Sequence, residues 1–85
     1  MREFRWNELK SARLKRTRGV SFEEITQEKL IVARENPGRL EQQILLFERK
    51  GYIWVAPCVE HGNETFLKTL YPSRKYTKLY REGRL

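Results

Sequence analysis

The stretch from Gln42 to Tyr71, QQILLFERKGYIWVAPCVEHGNETFLKTLY, decides the fold. Two turn signals, Lys50-Gly51 and His61-Gly62-Asn63, divide it into segments of strand length: Gln42 to Glu48, Tyr52 to Val59 and Glu64 to Tyr71. Connections this short predict antiparallel hairpins. The middle segment is apolar from Tyr52 to Ala56 and is predicted to be the central strand, which Pro57 either bulges or ends.

A basic helix is predicted in front of these strands, from Asn7 to Arg18. Asn7 is a suitable N-cap, and Gly19 stands where a left-handed C-cap is usually found. Most of the helix surface is cationic, so that few apolar side chains remain to contact the core: Leu9, Ala12 and Leu14. We therefore expect this helix to dock weakly on the sheet.

A second helix is predicted from Ser21, because Ser21 and Glu24 have the spacing of a capping box. A strand follows from about Leu30, and the turn residues Asn36-Pro37-Gly38 end it. The chain closes with a tail that is expected to be helical from Thr77. The predicted fold class is α+β in a single domain over residues 1–85: two N-terminal helices, a three- to four-stranded antiparallel sheet, and a short C-terminal helix or tail.

Positive charge is concentrated at the two ends of the chain. Residues 1–18 carry a net charge of +5, residues 19–67 carry −3 and residues 68–85 carry +5, within a total of +7. Such an uneven distribution attracts an anionic ligand to one face of a protein. We expect the two ends to converge beside the last hairpin, so that RNA lies in one groove across both.

The composition excludes several kinds of chemistry. The chain has one His, one Cys and no Asp, so neither a metal site nor a Ser-His-Asp triad is expected. The glycines are isolated, and no fingerprint for a nucleotide cofactor is present, so no cofactor is expected. Cys58 lies in an apolar run and is typical of a core residue in a reducing compartment. No apolar run reaches the length of a membrane span, and the expected location is the cytoplasm.

Metal-independent RNA cleavage remains, in which the ribose 2′-hydroxyl attacks the neighbouring phosphate. The expected catalytic residues lie on the last strand, in the case of Lys68, or after it, in the case of Arg74, Lys75 and Tyr80. Arg74 and Lys75 would stabilise the phosphate, while Lys68 would assist and Tyr80 would stack or transfer a proton. The expected RNA contacts are Lys10, Arg13, Arg16, Ser73, Tyr76 and Lys78. Histidine is the usual general base, but the turn around His61 already explains it as an exposed loop residue.

Three sequence blocks resemble the BrnT-like toxins of bacterial type II toxin-antitoxin systems. They are Phe4-Arg5-Trp6, Gly19-Val20-Ser21-Phe22-Glu23-Glu24, and Pro72-Ser73-Arg74-Lys75 with Thr77. The family pattern runs from Phe-x-Trp through Gly-Val-Ser-Phe-Glu-Glu to Ser-Ala-Arg-Lys-Ala-Thr. This chain departs from it at Tyr76, which replaces an alanine, and in the shorter spacing from Thr77 to Tyr80.

The resemblance implies a RelE-like ribonuclease fold, translation arrest by mRNA cleavage, and a cognate antitoxin protein that inhibits the toxin and also binds DNA. It places the closing motif of the family on Ser73, Arg74, Lys75 and Thr77. Two other functions would use the same basic surface. One is a non-catalytic RNA- or DNA-binding module, and the other is a protein-interaction module that docks an acidic partner.

Overall fold

A computed structural model describes residues 3–85 and shows a fold dominated by one sheet. In chain order the elements are β1 (Glu3–Arg5), α1 (Glu8–Arg18), α2 (Phe22–Ile25), β2 (Lys29–Glu35), β3 (Gln43–Arg49), β4 (Tyr52–His61), β5 (Glu64–Leu67), β6 (Tyr71–Pro72) and α3 (Arg74–Arg81). The six-stranded sheet has the order β1-β5-β4-β3-β2, and β6 pairs with β4. The predicted architecture, two helices followed by a small antiparallel sheet, is therefore wrong.

The sheet is mixed because β1, which precedes the helices, runs parallel to β5. Strand β1 holds one apolar side chain, Phe4, between two charged residues, and it pairs with Glu64–Phe66 at the far end of the sequence. Because β1 and β5 are far apart in the sequence, no local sequence pattern indicates that they pair. The strand predicted from Glu64 to Tyr71 is in fact two strands, since β5 and β6 pair with different parts of β4 and are separated by residues 68–70.

The position of the central strand was predicted correctly, but the bulge or strand end expected at Pro57 was wrong. Strand β4 continues through Pro57 to His61 and pairs with β3 without a shift of register. The Pro57 carbonyl accepts the Lys68 N–H at 2.8 Å. Because the N–H and C=O of one residue point to the same side of a strand, the donor that proline lacks would face the gap between β5 and β6. The ladder to β3 therefore loses no bond, and no bulge forms.

The predicted helix signals are confirmed. The Asn7 side chain accepts the Lys10 N–H, and Gly19 ends α1 with a φ of +82°. Ser21 and Glu24 make both bonds of the capping box that begins α2. Helix α3 begins three residues earlier than predicted, because Ser73 acts as its N-cap by accepting the Tyr76 N–H.

Helix α1 contacts the core through Leu14 and Ser11, and the contacts predicted for Leu9 and Ala12 are wrong. Leu9 is 80% exposed and Ala12 is exposed as well. The buried Ser11 hydroxyl accepts the Phe22 N–H at 3.0 Å and donates to a Glu23 carboxylate oxygen at 2.5 Å. Hydrogen bonds to α2, rather than apolar burial alone, thus set which side of α1 faces the sheet.

The two faces of the sheet carry different helices. Successive side chains of a strand point to opposite faces. Leu45 and Phe47 of β3 belong to the core cluster that contains Leu14 of α1 and Phe22 of α2. The alternate residues Ile44 and Leu46 belong to a second cluster, with β4 residues and the half-buried rings of α3. Helices α1 and α2 therefore cover one face, and α3 covers the other.

Helix α3 is fixed to β4 through the backbone of Ile53. The Ile53 carbonyl accepts the Ser73 N–H at 2.9 Å. The Ile53 N–H donates to the Thr77 hydroxyl at 2.8 Å, and this hydroxyl in turn donates to the Ser73 carbonyl at 2.6 Å. Both polar groups of one strand residue are thus satisfied by the first turn of the helix, which fixes where α3 begins.

No helix within residues 3–85 combines the length and the apolar character that crossing a membrane would require.

Candidate nucleic-acid interface

A cationic cleft of about 400 Å³ is formed by four separate segments of the chain. Its lining residues are Lys10 of α1, Asn36, Arg39 and Gln42 of the loop between β2 and β3, Pro57 of β4, and Lys68 and Thr69 after β5. Three of these side chains are cations, two are amides and one is a hydroxyl. None of the lining residues in the described part of the chain is acidic, so the cleft suits an anion.

The three cations of the cleft, Lys10, Arg39 and Lys68, form no salt bridge with a carboxylate of residues 3–85. The salt bridges found within residues 3–85 use other cations, namely Arg5, Lys15, Arg49 and Arg84. Arg39 and Lys68 are exposed, and Lys10 is half-buried. Their charge is therefore available to a ligand, and the Arg39 guanidinium can hold a phosphate in bidentate fashion.

Short-range hydrogen bonds fix the backbone at each of the three cationic residues. Lys10 lies in the first turn of α1, where its N–H donates to the Asn7 side chain at 3.0 Å. The Lys68 N–H donates to Pro57, and the Lys68 ammonium lies 5.6 Å from the centre of the Phe66 ring. The Arg39 N–H donates to the Asn36 carbonyl at 3.2 Å. A helix cap, a strand and a turn thus fix the backbone from which the three side chains extend.

The loop between β2 and β3 supplies neutral donors as well. The Asn36 carboxamide oxygen accepts the Gly38 N–H at 2.9 Å, and its nitrogen donates to the Gln42 side-chain oxygen at 3.4 Å. This arrangement closes the turn and orients the Gln42 amide group with its nitrogen as the remaining donor. A donor beside three cations favours the oxygens of a phosphate over a metal or a cationic ligand.

The single groove predicted across both ends of the chain does not form. Lys10 and Lys68, two of the predicted residues, line the cationic cleft together. Arg74 and Lys78 line a different pocket, beside Tyr52, on the face that α3 covers. A hydrogen bond from the Arg18 guanidinium to the Leu70 carbonyl also joins the two basic segments. Basic residues near both ends thus serve two sites rather than one.

The remaining predicted residues lie outside both pockets. Arg13, Arg16 and Lys75 are exposed, and the Lys75 ammonium lies 5.6 Å from the centre of the Tyr76 ring. Tyr76 and Tyr80 are half-buried against the second core cluster. Packing in the core therefore explains why aromatic residues stand at both positions. His61 is exposed at the end of β4, where it pairs with Glu64.

Most motif residues behind the resemblance have structural roles. Ser21 and Glu24 cap α2, Ser73 caps α3, and Thr77 joins α3 to β4. The Lys15 ammonium donates to Glu24 at 2.9 Å, and this bond, followed by the bond from the Ser21 N–H, lowers the pKa of Glu24 to about 2. The Ser11 hydroxyl likewise lowers the pKa of Glu23. The bonds from Ser11 and Lys15 of α1 to these two carboxylates thus join α1 to α2 and favour the ionised form of both groups.

Five lining residues of the cleft were missed by sequence reasoning: Asn36, Arg39, Gln42, Pro57 and Thr69. The turn Asn36-Pro37-Gly38 was recognised, but nothing in its sequence indicates that the loop reaches Lys10 and Lys68. That approach depends on the strand order, which brings the β2–β3 loop, β4 and the segment after β5 to one place. A basic residue directly after a Pro-Gly turn is the only local signal for Arg39.

Comparison of the chain with protein-family models, with curated proteins and with solved structures gives no match. Family membership is therefore not shown, and the resemblance to BrnT-like toxins remains a prediction carried by its motifs. The structure shows where the side chains of the motifs lie. It also adds the cationic cleft, which the motifs do not contain.

Proposed function

We propose that this protein binds RNA through the cationic cleft and acts as a toxin of the metal-independent endoribonuclease type. One observation carries the proposal: three cations without salt-bridge partners among the described residues line a cleft with no acidic wall. The phosphate backbone supplies most of the affinity for such a site. The motif resemblance to toxins supports RNA as the polyanion and mRNA as its cellular form.

The chemistry proposed for the cleft is transesterification at phosphorus. The ribose 2′-oxygen bonds to the adjacent phosphorus and gives up its proton to a water molecule. The 5′-oxygen of the next nucleotide leaves and takes a proton from the Lys68 ammonium, which water then restores. Lys10 and Arg39 stabilise the negative charge that develops on the phosphate oxygens. The products are a 2′,3′-cyclic phosphate and a 5′-hydroxyl.

This assignment moves the proposed catalytic centre away from Arg74 and Lys75. Lys68 is retained from the prediction, Lys10 changes from a binding contact to a charge stabiliser, and Arg39 is new. Cleavage of mRNA would place the protein in the bacterial cytoplasm. A cognate antitoxin would silence it most simply by covering the cleft with carboxylates, because opposite charges across an interface fix its register.

The test is cleavage of a single-stranded RNA labelled at both ends, with EDTA present to remove divalent metals. We expect wild type to produce fragments ending in a 2′,3′-cyclic phosphate. Lys68→Ala should lower the rate by roughly 100-fold or more, the usual effect of losing a general acid. Lys29→Ala is the matched control, because Lys29 is an exposed cation that lines neither pocket.

Three outcomes are distinguishable. Cleavage that depends on Lys68 and not on Lys29 supports the proposal. Salt-sensitive binding without any product, weakened by Lys68→Ala, leaves a non-catalytic RNA binder and refutes the catalytic half of the proposal. Binding that is equally unaffected by both substitutions refutes the cleft as the RNA site.

A further inference from the structure

Helix α3 covers only part of the sheet face on which it lies. Strand β4 presents alternate residues to this face, and two of them, Ile53 and Val55, lie in the second core cluster with the rings of α3. Val59 follows on the same side of β4 and is half-buried. Its partner in β5, Phe66, is 40% exposed. The face beyond α3 is therefore open to a ligand at this point.

Two exposed aromatic side chains stand on this face. Phe66 pairs with Val59 of β4, and Tyr71, which is 39% exposed, pairs with Val55. Val55 and Val59 are four residues apart in a strand that pairs with β3 without a shift of register, so both point to the same side. Cross-strand partners share a face, which places Phe66 and Tyr71 on that side as well. At about 3.3 Å per residue, their backbone positions lie roughly 13 Å apart.

Lys68 lies between the two rings on the same face. Its N–H donates to the Pro57 carbonyl, which continues the pairing of β5 with β4 by one residue. Its ammonium lies 5.6 Å from the centre of the Phe66 ring, so these two side chains are on one side of the sheet. Lys68 also lines the cationic cleft. The face that carries the two rings therefore adjoins the proposed phosphate site.

The charges around Phe66 favour one direction for a bound polyanion. Arg5 of β1 pairs with Phe66 across the parallel ladder. Its guanidinium lies 2.6 Å from Glu3 and 3.3 Å from Glu64, so this edge of the sheet holds two carboxylates and one cation. On the other side of Phe66, Lys68 forms no salt bridge with a carboxylate of residues 3–85. A polyanion is thus attracted towards Lys68 and repelled from the β1 edge.

We propose that Phe66 and Tyr71 stack on unpaired bases of the RNA strand whose phosphate lies in the cationic cleft. The inference rests on the proposed RNA-binding function and deepens it, because it makes single-stranded RNA the ligand. Aromatic side chains on an exposed sheet face bind unpaired bases in this way, whereas the bases of a duplex are already stacked on one another. The Lys68 ammonium moves from the Phe66 ring to the phosphate, since an exposed cation–π contact is weaker than base stacking together with a phosphate contact.

The test is fluorescence anisotropy with a labelled single-stranded RNA of about eight nucleotides. Its riboses carry 2′-O-methyl groups, which block the attacking oxygen, so that binding is measured without cleavage. Phe66→Leu should weaken binding roughly 5- to 150-fold, the range measured when an aromatic side chain that stacks on a base is removed. Tyr71→Leu should have a similar effect and gives a second, independent measurement. Neither change removes a phosphate contact, so the salt dependence should remain that of wild type.

Three controls isolate the contribution of stacking. Phe66→Tyr keeps the ring and should bind nearly as tightly as wild type. Leu30→Ala removes an equally exposed apolar side chain from the other face, because Leu30 is 41% exposed and pairs with Phe47 of the first core cluster. It should leave the affinity unchanged. A strand with the same sugar-phosphate backbone but without bases should bind wild type and Phe66→Leu equally.

Equal affinities of wild type, Phe66→Leu and Tyr71→Leu for the RNA would overturn the proposal. An equal loss for the strand without bases, or equal binding of duplex RNA by wild type, would overturn it as well. Lys68→Ala separates this failure from failure of the proposed function. If Lys68→Ala weakens binding and the two leucine variants do not, the cleft remains the RNA site and only the stacking is refuted. If Lys68→Ala also binds as tightly as wild type, the proposed function itself fails.

Discussion

The Thr77 hydroxyl is the single group whose removal tests the attachment of α3 most cleanly. Thr77 is 2% exposed, and its oxygen accepts the Ile53 N–H at 2.8 Å. Thr77→Val keeps the shape of the side chain and removes that acceptor. The Ser73 carbonyl keeps a second donor, the Thr77 N–H at 3.1 Å, so the loss falls on the Ile53 N–H.

The expected cost follows from that one unsatisfied donor. A buried N–H left without a partner destabilises a protein by about 1–3 kcal/mol. For a domain of this size such a loss lowers the melting temperature by roughly 4–8 °C per kcal/mol. Urea unfolding followed by tryptophan fluorescence measures the free energy, and hydrogen exchange at Ile53 measures the bond itself.

Thr77→Ser is the matched control for this prediction. It keeps the hydroxyl and loses one methyl group, which is worth about 0.8 kcal/mol when buried. We expect the Ile53 amide to exchange slowly in Thr77→Ser and much faster in Thr77→Val. Should the valine variant retain the stability of wild type to within about 0.5 kcal/mol, with the Ile53 amide still protected, the proposed anchoring of α3 is refuted.

The remaining predictions concern the opposite face of the sheet. Because the pKa of Glu24 is lowered from 4.5 to about 2, its ionised form stabilises the fold above pH 4.5, and this contribution is lost as the pH falls towards 2. Glu24→Gln should therefore reduce the fall in melting temperature over that range, whereas an unchanged pH profile would contradict the assigned bonds. Leu9→Gln should change the free energy of unfolding by less than about 0.5 kcal/mol, since Leu9 is 80% exposed. Leu14→Ala should cost about 2–5 kcal/mol in the same urea experiment, and similar costs for both would place Leu9 back in the core.

Local signals allowed the sequence to predict the parts of the fold that depend on a few neighbouring residues. The Asn7 cap, the capping box from Ser21 to Glu24 and the Lys50-Gly51 hairpin each involve residues no more than four positions apart. Their chemistry is complete within a short window, so a pattern of residue types is sufficient to identify them.

Non-local pairings account for what the sequence did not reveal. Strand β1 forms only because Glu64–Phe66 offers it an edge, and the rotation of α1 depends on bonds from Ser11 to α2. The same distinction between local signals and non-local contacts applies to the candidate site. Lys10 and Lys68 were predicted as RNA contacts from their charge, but their meeting with Arg39 depends on the order of the strands.

The salt dependence of RNA binding tests the central claim, that a phosphodiester lies between Lys10, Arg39 and Lys68. For single strands, the logarithm of affinity falls with the logarithm of salt concentration with a slope of about −0.7 per phosphate contact. Replacing all three cations by alanine removes the contacts to that one phosphate and should therefore make the slope shallower by about 0.7. The Lys29→Ala control should leave the slope unchanged. A triple variant that keeps the wild-type slope would contradict the account, because the phosphates would then be bound elsewhere.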